Sequence, residues 1–407
     1  MHIFLNGLGA NAGAGLTYLY NVVPRLSAET DALTTLAVQP ELRCQFRGFK
    51  NVAVLDTEVP QGSARRFWFE QTTLPKLVVK SGADLLLSAG NFALRNCSVP
   101  QILLSGNSLY TSADFYRDLR SRGEYRMWLD TRLRGFLARK SVHWADCTVA
   151  PSAAFAKELH RWTGREVRAI YHGFTPEIFF ADRSPLPVEL RRKLATGSDC
   201  VRLLFVSHYN YYRNFETLFR GVAALRARLK DRKVRLFLTC TLEDDKTPGA
   251  YKTGRAARLI RDLDIRDEVV ELGAVPYALL HQVYRSCDIY VTAAYAETFA
   301  HPLVEALACG LPIVASDIAV HREVCREAGS YFPRFSSDEL ASALLRRMDH
   351  RHAGARSPEC RFSWGLHVEE ILAIADKLLG SPRHHSEDAE LQSADDQHAL
   401  TYKVSAS

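Results

Sequence analysis

Short apolar runs alternate with longer stretches of helical periodicity along almost the whole chain. HIFLN from His2, NVAVLD from Asn51, ADLLLSAG from Ala83, PQILLS from Pro100 and DCTVAPS from Asp146 read as buried strands. Helix-like segments such as LTYLYNVVPRLSAE, from Leu16, separate them. Near-continuous apolar strands alternating with helices predict a parallel sheet covered on both faces. The pattern then restarts. VRLLFVSH from Val201, KVRLFLTC from Lys233, DEVVELG from Asp267, CDIYVTAAY from Cys287 and LPIVASD from Leu311 form a second strand series, and FETLFRGVAALRARL from Phe215 is its first helix.

Two α/β halves in one chain imply a cleft between them, with ligands at the carboxyl ends of the strands. The division expected is a first domain over residues 1–180 with a linker to about 198, where FTPEIFFADRSPLPVELRRKLATGSD clusters its prolines and carries no strand signal. A second domain follows over 199–361, then a closing amphipathic helix over 362–380. Residues 381–407 are polar and unpatterned and read as a disordered tail.

Composition narrows the class. Of the 407 residues 47% are hydrophobic and 24% charged, which suits a soluble globular protein. The nine cysteines are scattered and contain no C-x-x-C pair, which speaks against a disulfide framework or a structural zinc site and for reduced thiols in a cytoplasm. The N-terminus lacks the basic and apolar regions of a signal peptide, and no apolar run is long enough to span a bilayer. A net charge of +6 is modest. Its local concentration in RDLRSRGEYRMWLDTRLRGFLARK, with Met127, Trp128, Leu129, Leu133 and Phe136 interleaved, fits either a peripheral helix on an anionic membrane or a helix packed on the sheet. No recognition motif accompanies the charge, so nucleic acid is not an expected partner.

The segment Glu297–Ser316 carries the most chemistry. It reads as a loop over Thr298–Leu303, a helix over Leu303–Cys309 with Pro302 at its entry and Gly310 as its stop, and a strand beyond Pro312. A loop entering a helix offers unpaired backbone N–H groups and a positive dipole end, which suit a diphosphate. Glu305 is placed to accept from ribose hydroxyls and Glu297 from hydroxyls of a sugar. Asp262 and Asp264 have Asp-x-Asp spacing but sit in a charged helix end, Asp244 and Asp245 sit in a loop, and no His/Cys ligand set exists; no essential metal or other cofactor is expected.

ETFAHPLVEALACGLPIVAS, from Glu297, resembles the signature E-[GS]-F-G-x-P-x-x-E-A-x-A-x-G-x-P-[VI]-[IV]-A-[ST] of glycosyltransferase family 4, the retaining enzymes of GT-B fold. The departures are Thr298 and Ala300. WADCTVAPSAAFAKE from Trp144, YHGFTPEIF from Tyr171, ELGAVPYALLHQVYRSCDIYVTAAYAE from Glu271 and the closing helix are similar to further family stretches, so the likeness covers roughly residues 1–380. It implies an α/β GT-B fold with two Rossmann-like domains facing across a cleft, the closing helix crossing back to the first.

It also implies a hexosyl transfer from a UDP-, GDP- or ADP-sugar to a glycan or polyisoprenoid-linked acceptor, in surface polysaccharide assembly, in the cytoplasm or at the inner membrane face. Arg213 falls where the family places a phosphate-binding Lys, and Ser207 and His208 where its other cation sits. Gly13 and Gly15 match its glycine-rich turn, Gly273 and Val275 its nucleobase loop, and Phe299, Ala300, His301, Pro302 and Leu303 its donor loop. Arg213 and Glu297 are the catalytic candidates. Gly106 stands near the position of a family histidine, and Asn107 is the acceptor-side candidate. Two other readings stay open: a GT-B nucleotide-sugar 2-epimerase, and a sugar-nucleotide-binding protein without turnover.

Overall fold

The computed structural model describes residues 1–10, 13–29, 32–229, 231–243, 251–349 and 362–380. Seven parallel strands form the first sheet: β1 His2–Asn6, β2 Leu33–Ala37, β3 Val52–Val54, β4 Leu85–Ser88, β5 Gln101–Leu104, β6 Cys147–Ala150 and β7 Arg168–Ala169, in the order β3-β2-β1-β4-β5-β6-β7. Six more form the second: β8 Cys200–Phe205, β9 Lys233–Leu238, β10 Val269–Glu271, β11 Ile289–Thr292, β12 Ile313–Ser316 and β13 Gly329–Phe332, in the order β10-β9-β8-β11-β12-β13. All pairings are parallel. The runs are apolar without alternation because helices cover both faces: β4 and β11, for instance, are buried at every position.

The apolar patterning locates every strand it predicted. It passes over β2, β7 and β13. In β2 the sequence LTTLA places Thr34 and Thr35 in the buried interior. In β7 only two residues pair, and β13 opens with Gly329. These strands form because a neighbour offers a free edge in register, which the local sequence does not record. The proline-rich linker contains two short helices, Pro176–Phe179 and Val188–Ala195, and no strand.

Each sheet has a switch point beside its first strand, at β1/β4 and at β8/β11, where successive crossovers leave in opposite directions and the loops at the strand ends splay apart. The closing helix Trp364–Gly380 buries Trp364, Val368, Ile371, Ile374 and Ala375 in the core of the first domain, with Ile3, Leu5 and Val22. It passes so close to the linker that a Cβ on Gly173 would stand 2.1 Å from the Trp364 nitrogen, so only glycine fits there. The crossing expected of this helix is therefore present.

Among the described residues no helix is long and apolar enough to cross a membrane, and eight cysteines are described, all free. Cys360, Asp244, Asp245 and the 381–407 tail lie outside the described residues.

Candidate active site

The second-sheet switch point gathers the loops that follow β8 and β11. The β8 loop ends in a tight turn, Tyr211–Arg213, closed by Asn214 in the left-handed region (φ +57). Asn214 Nδ2 donates to the Ala293 carbonyl at 3.2 Å and to the Arg334 carbonyl at 2.8 Å, which ties the two loops together. This places the Arg213 guanidinium against the Glu297 carboxylate, to which its Nη1 donates. The sequence assigns these residues separate tasks, phosphate and sugar; the fold makes them an ion pair.

Two buried nitrogens beside this pair lack a hydrogen-bond partner: Arg213 Nε and His321 Nε2. His321 is fully enclosed, its Nδ1 2.9 Å from the Ser316 carbonyl, and burial, with the Arg213 charge adding to it, lowers its pKa to about 4. It is thus a neutral imidazole whose Nε2 is an acceptor. His208, the expected substitute for the second cation, is exposed on the same loop, and its carbonyl accepts from Ser207 Oγ at 2.8 Å.

The donor segment differs from the expected boundaries. Its helix spans His301–Ala308, beginning two residues before Leu303 and ending one before Cys309, with Pro302 inside the first turn. The helix starts early because Ala300 adopts φ +64 and ψ +60 and turns the chain sharply into it, so that the Leu303 N–H reaches back to the Ala300 carbonyl at 2.9 Å. A side chain in that conformation is strained, and the family signature has glycine there. Ala300→Gly is expected to raise stability by about 1 kcal/mol; a urea midpoint that stays put or falls would refute the strain.

Phe299, Ala300 and Leu303 turn their side chains into the core, so the segment presents backbone rather than side chains. Glu305 is also buried, and Tyr284 Oη donates to its Oε2 at 2.8 Å. Burial raises its carboxyl to about 7, against the opposing hydrogen bond. Gly310 ends the helix at φ +72, as expected.

On the opposite wall Gly13 (φ +56) and Gly15 open the helix Gly13–Ala28 after β1, and the backbone of Gly9 lies against that of Gly90 after β4. Asn107 Oδ1 accepts from the Leu109 N–H at 3.1 Å, so its side chain closes the turn after β5. Gly273 (φ +82) and Val275 follow edge strand β10. Asp262 and Asp264 are exposed, and no cluster of potential metal ligands exists among the described residues.

The walls touch. Ser152 Oγ donates to the Thr298 carbonyl at 2.6 Å, the Ala153 and Ala154 N–H groups donate to Glu323 at 2.8 and 2.6 Å, and Tyr295 Oη donates to Asp118 at 2.8 Å. Arg122 pairs with Glu216 at 2.7 Å and Arg334 with Asp114 at 2.8 Å. A cavity of about 70 Å³ remains beside Glu297, lined on the first-domain side by Ser108, Ser112, Glu158 and Arg161.

Behind the donor loop lies a histidine cluster that no motif in the sequence announces. His172 Nδ1 lies 3.4 Å from His301 Nε2 with the rings stacked, and Trp364 and His367 close around them. His367 Nδ1 is 2.9 Å from the Tyr171 carbonyl. Burial lowers all three, His301 and His367 to about 4. The linker, the donor loop and the closing helix meet there through neutral imidazoles. The only sequence signal was the presence of His in three separate segments.

Residues 189–356 match the family described as glycosyl transferases group 1. Over that stretch the chain is similar to the group 1 glycosyl transferases. The match takes in β8 to β13 and hence both halves of the Arg213–Glu297 pair. A D-inositol 3-phosphate glycosyltransferase of Geodermatophilus obscurus is 30% identical over 188 residues, 45% of this chain and 42% of that protein. The matched stretches span about half or less of the length of the first curated relatives.

Solved structures extend the likeness in fold to the first domain. Anabaena HepE in complex with UDP-glucose superposes with a TM-score of 0.66 at 17% identity, over 93% of this chain and 100% of that one. Sucrose-phosphate synthase of Thermosynechococcus elongatus gives 0.68 at 16%, over 93% and 99%. The chain therefore has the two-domain GT-B fold of these structures.

Proposed function

We propose that the protein transfers a hexose, with retention, from a nucleotide diphosphate-sugar to a hydroxyl of a glycan or lipid-linked acceptor, without a metal. The observation that carries this reading is the Arg213–Glu297 pair at the β8/β11 switch point, beside the His301–Ala308 helix start. A diphosphate there meets a guanidinium that can donate in fork geometry and the positive end of a helix. Both stabilise the charge that grows on the leaving group, and such charge stabilisation is expected to dominate the rate enhancement of a transfer of this kind. Glu297, released from Arg213, accepts from hydroxyls of the sugar, and Glu305 accepts from the ribose. The site holds no acid–base residue at Gly106, so the departing phosphate oxygen itself takes the acceptor's proton in this reading.

Ligand pockets run roughly 300–1,000 Å³, and the cavity beside Glu297 is about 70 Å³. In the proposed cycle the hydrogen bonds at Ser152, Glu323 and Asp118 open for the donor to enter. UDP, the nucleotide held by some structural neighbours, is the first probe. A ligand at a hundred times its Kd stabilises a protein by about 2.7 kcal/mol. UDP-glucose or UDP is expected to raise the melting temperature, with GDP- and ADP-sugars as the comparison arms. If none of the three nucleotide series shifts the melting curve, the donor reading fails.

A further inference from the structure

The Tyr125–Trp144 helix of the first domain turns small residues inward and large apolar ones outward. Its inner side buries Thr131, Gly135, Ala138, Ser141 and Val142. Its outer side leaves Tyr125, Leu129, Leu133 and Phe136 exposed, each by more than half of its surface. These four follow one another at intervals of four, four and three residues, so they form one continuous stripe along the helix. Large apolar side chains in a row on a solvent face mark a surface that something covers.

The charges around the stripe say what kind of surface that is. Arg126, Arg132, Arg139 and Lys140 are exposed on the same helix, and Asp130 is its only acid, held by Arg134 at 2.8 Å. Lys140 Nζ sits 5.8 Å over the Phe136 ring and Arg132 packs over Trp128 at 5.2 Å, so the cations rise beside the apolar row. A second copy of the chain is a poor occupant, because a two-fold contact through this face sets like charges opposite one another. An anionic bilayer satisfies both halves of the surface: the apolar row enters the acyl boundary and the cations meet the headgroups.

We propose that the outer face of this helix docks the protein on an anionic lipid surface. The docking also orients the cleft. The helix begins beside the second domain: Glu124, the residue before it, pairs with Lys252 at 2.9 Å and accepts from Tyr211 Oη at 3.3 Å. Tyr211 belongs to the turn that ends in Arg213. A bilayer lying along the stripe therefore meets the molecule at the rim of the donor cleft, where an acceptor anchored in that bilayer reaches the transfer site.

The test is co-sedimentation of the full chain with vesicles of phosphatidylcholine alone and of equal parts phosphatidylcholine and phosphatidylglycerol. Binding is expected with the anionic vesicles and not with the neutral ones, and it weakens as salt is raised. Leu133→Glu with Phe136→Glu, and separately Arg132→Glu with Arg139→Glu, are each expected to weaken it by at least about tenfold. All four positions face solvent, so the melting temperature and UDP binding stay at wild-type values.

Equal binding by the variants, or no vesicle binding, overturns the proposal. So does a dimer in sedimentation velocity that Leu133→Glu with Phe136→Glu dissolves, or binding to duplex DNA in place of vesicles. A chain that binds vesicles but no nucleotide keeps the docking surface and loses the proposed transfer, so the two failures are distinguishable.

Discussion

Arg213→Ala is expected to lower turnover of the accepted nucleotide-sugar by on the order of a hundredfold, the scale for loss of a preorganised charge at a developing oxyanion. The structure adds a second cost. Side-chain exposure is 16% for Arg213 and 9% for Glu297, so removing the cation leaves a nearly buried carboxylate without its partner. Breaking such a pair destabilises by up to about 3–5 kcal/mol, and thermal melts of Arg213→Ala will show it.

Glu297→Gln separates the two effects. It removes the competitor for the guanidinium, so UDP, which has no sugar for Glu297 to hold, is expected to bind as well as or better than to wild type. Turnover still falls, because the sugar loses its acceptor. If UDP binding and turnover fall together in Glu297→Gln, the pair is a structural ion pair and the proposed roles are wrong.

Glu305→Ala is expected to raise the donor KM roughly 10- to 100-fold, the range set by ~1.5–3 kcal/mol for a hydrogen bond to a charged group. Unchanged donor kinetics would remove Glu305 from the site. The conservative Glu305→Gln isolates its ionisation.

Burial raises this carboxyl from its ordinary 4.5 to about 7. Between those values the folded chain holds a proton that the unfolded chain has released, so the group's contribution to stability falls as pH rises from about 4.5 through 7. In Glu305→Gln that fall disappears. Ribose hydroxyls donate to the carboxylate form, so donor binding pulls the proton off. Calorimetry of UDP-glucose binding near pH 6, in two buffers of different ionisation heat, should show proton release in wild type and none in Glu305→Gln.

Much of this site can be read in the chain because its parts are local. A loop, a helix start and two glutamates eight residues apart lie within one segment, and Gly310 and Pro312 punctuate it through their own backbone limits. The same holds for the strands, whose unbroken apolar runs report burial on both faces.

What distance along the chain separates, only the tertiary structure decided. Arg213 and Glu297 are 84 residues apart, and they pair because β8 and β11 are neighbours in a sheet whose order no local pattern encodes. Glu305 reads in the chain as a helical acid; only packing buries it beside Tyr284, and that burial raises its pKa. His172, His301 and His367 meet because the closing helix crosses the linker at Gly173. The Tyr125–Trp144 helix had apolar residues for either fate, and the core took the small residues at Gly135, Ala138 and Ser141 and left Leu129, Leu133 and Phe136 outside. Local sequence sets backbone preference and the burial of an element. Which side chains share a site depends on strand order and on which helix face the core has room to accept.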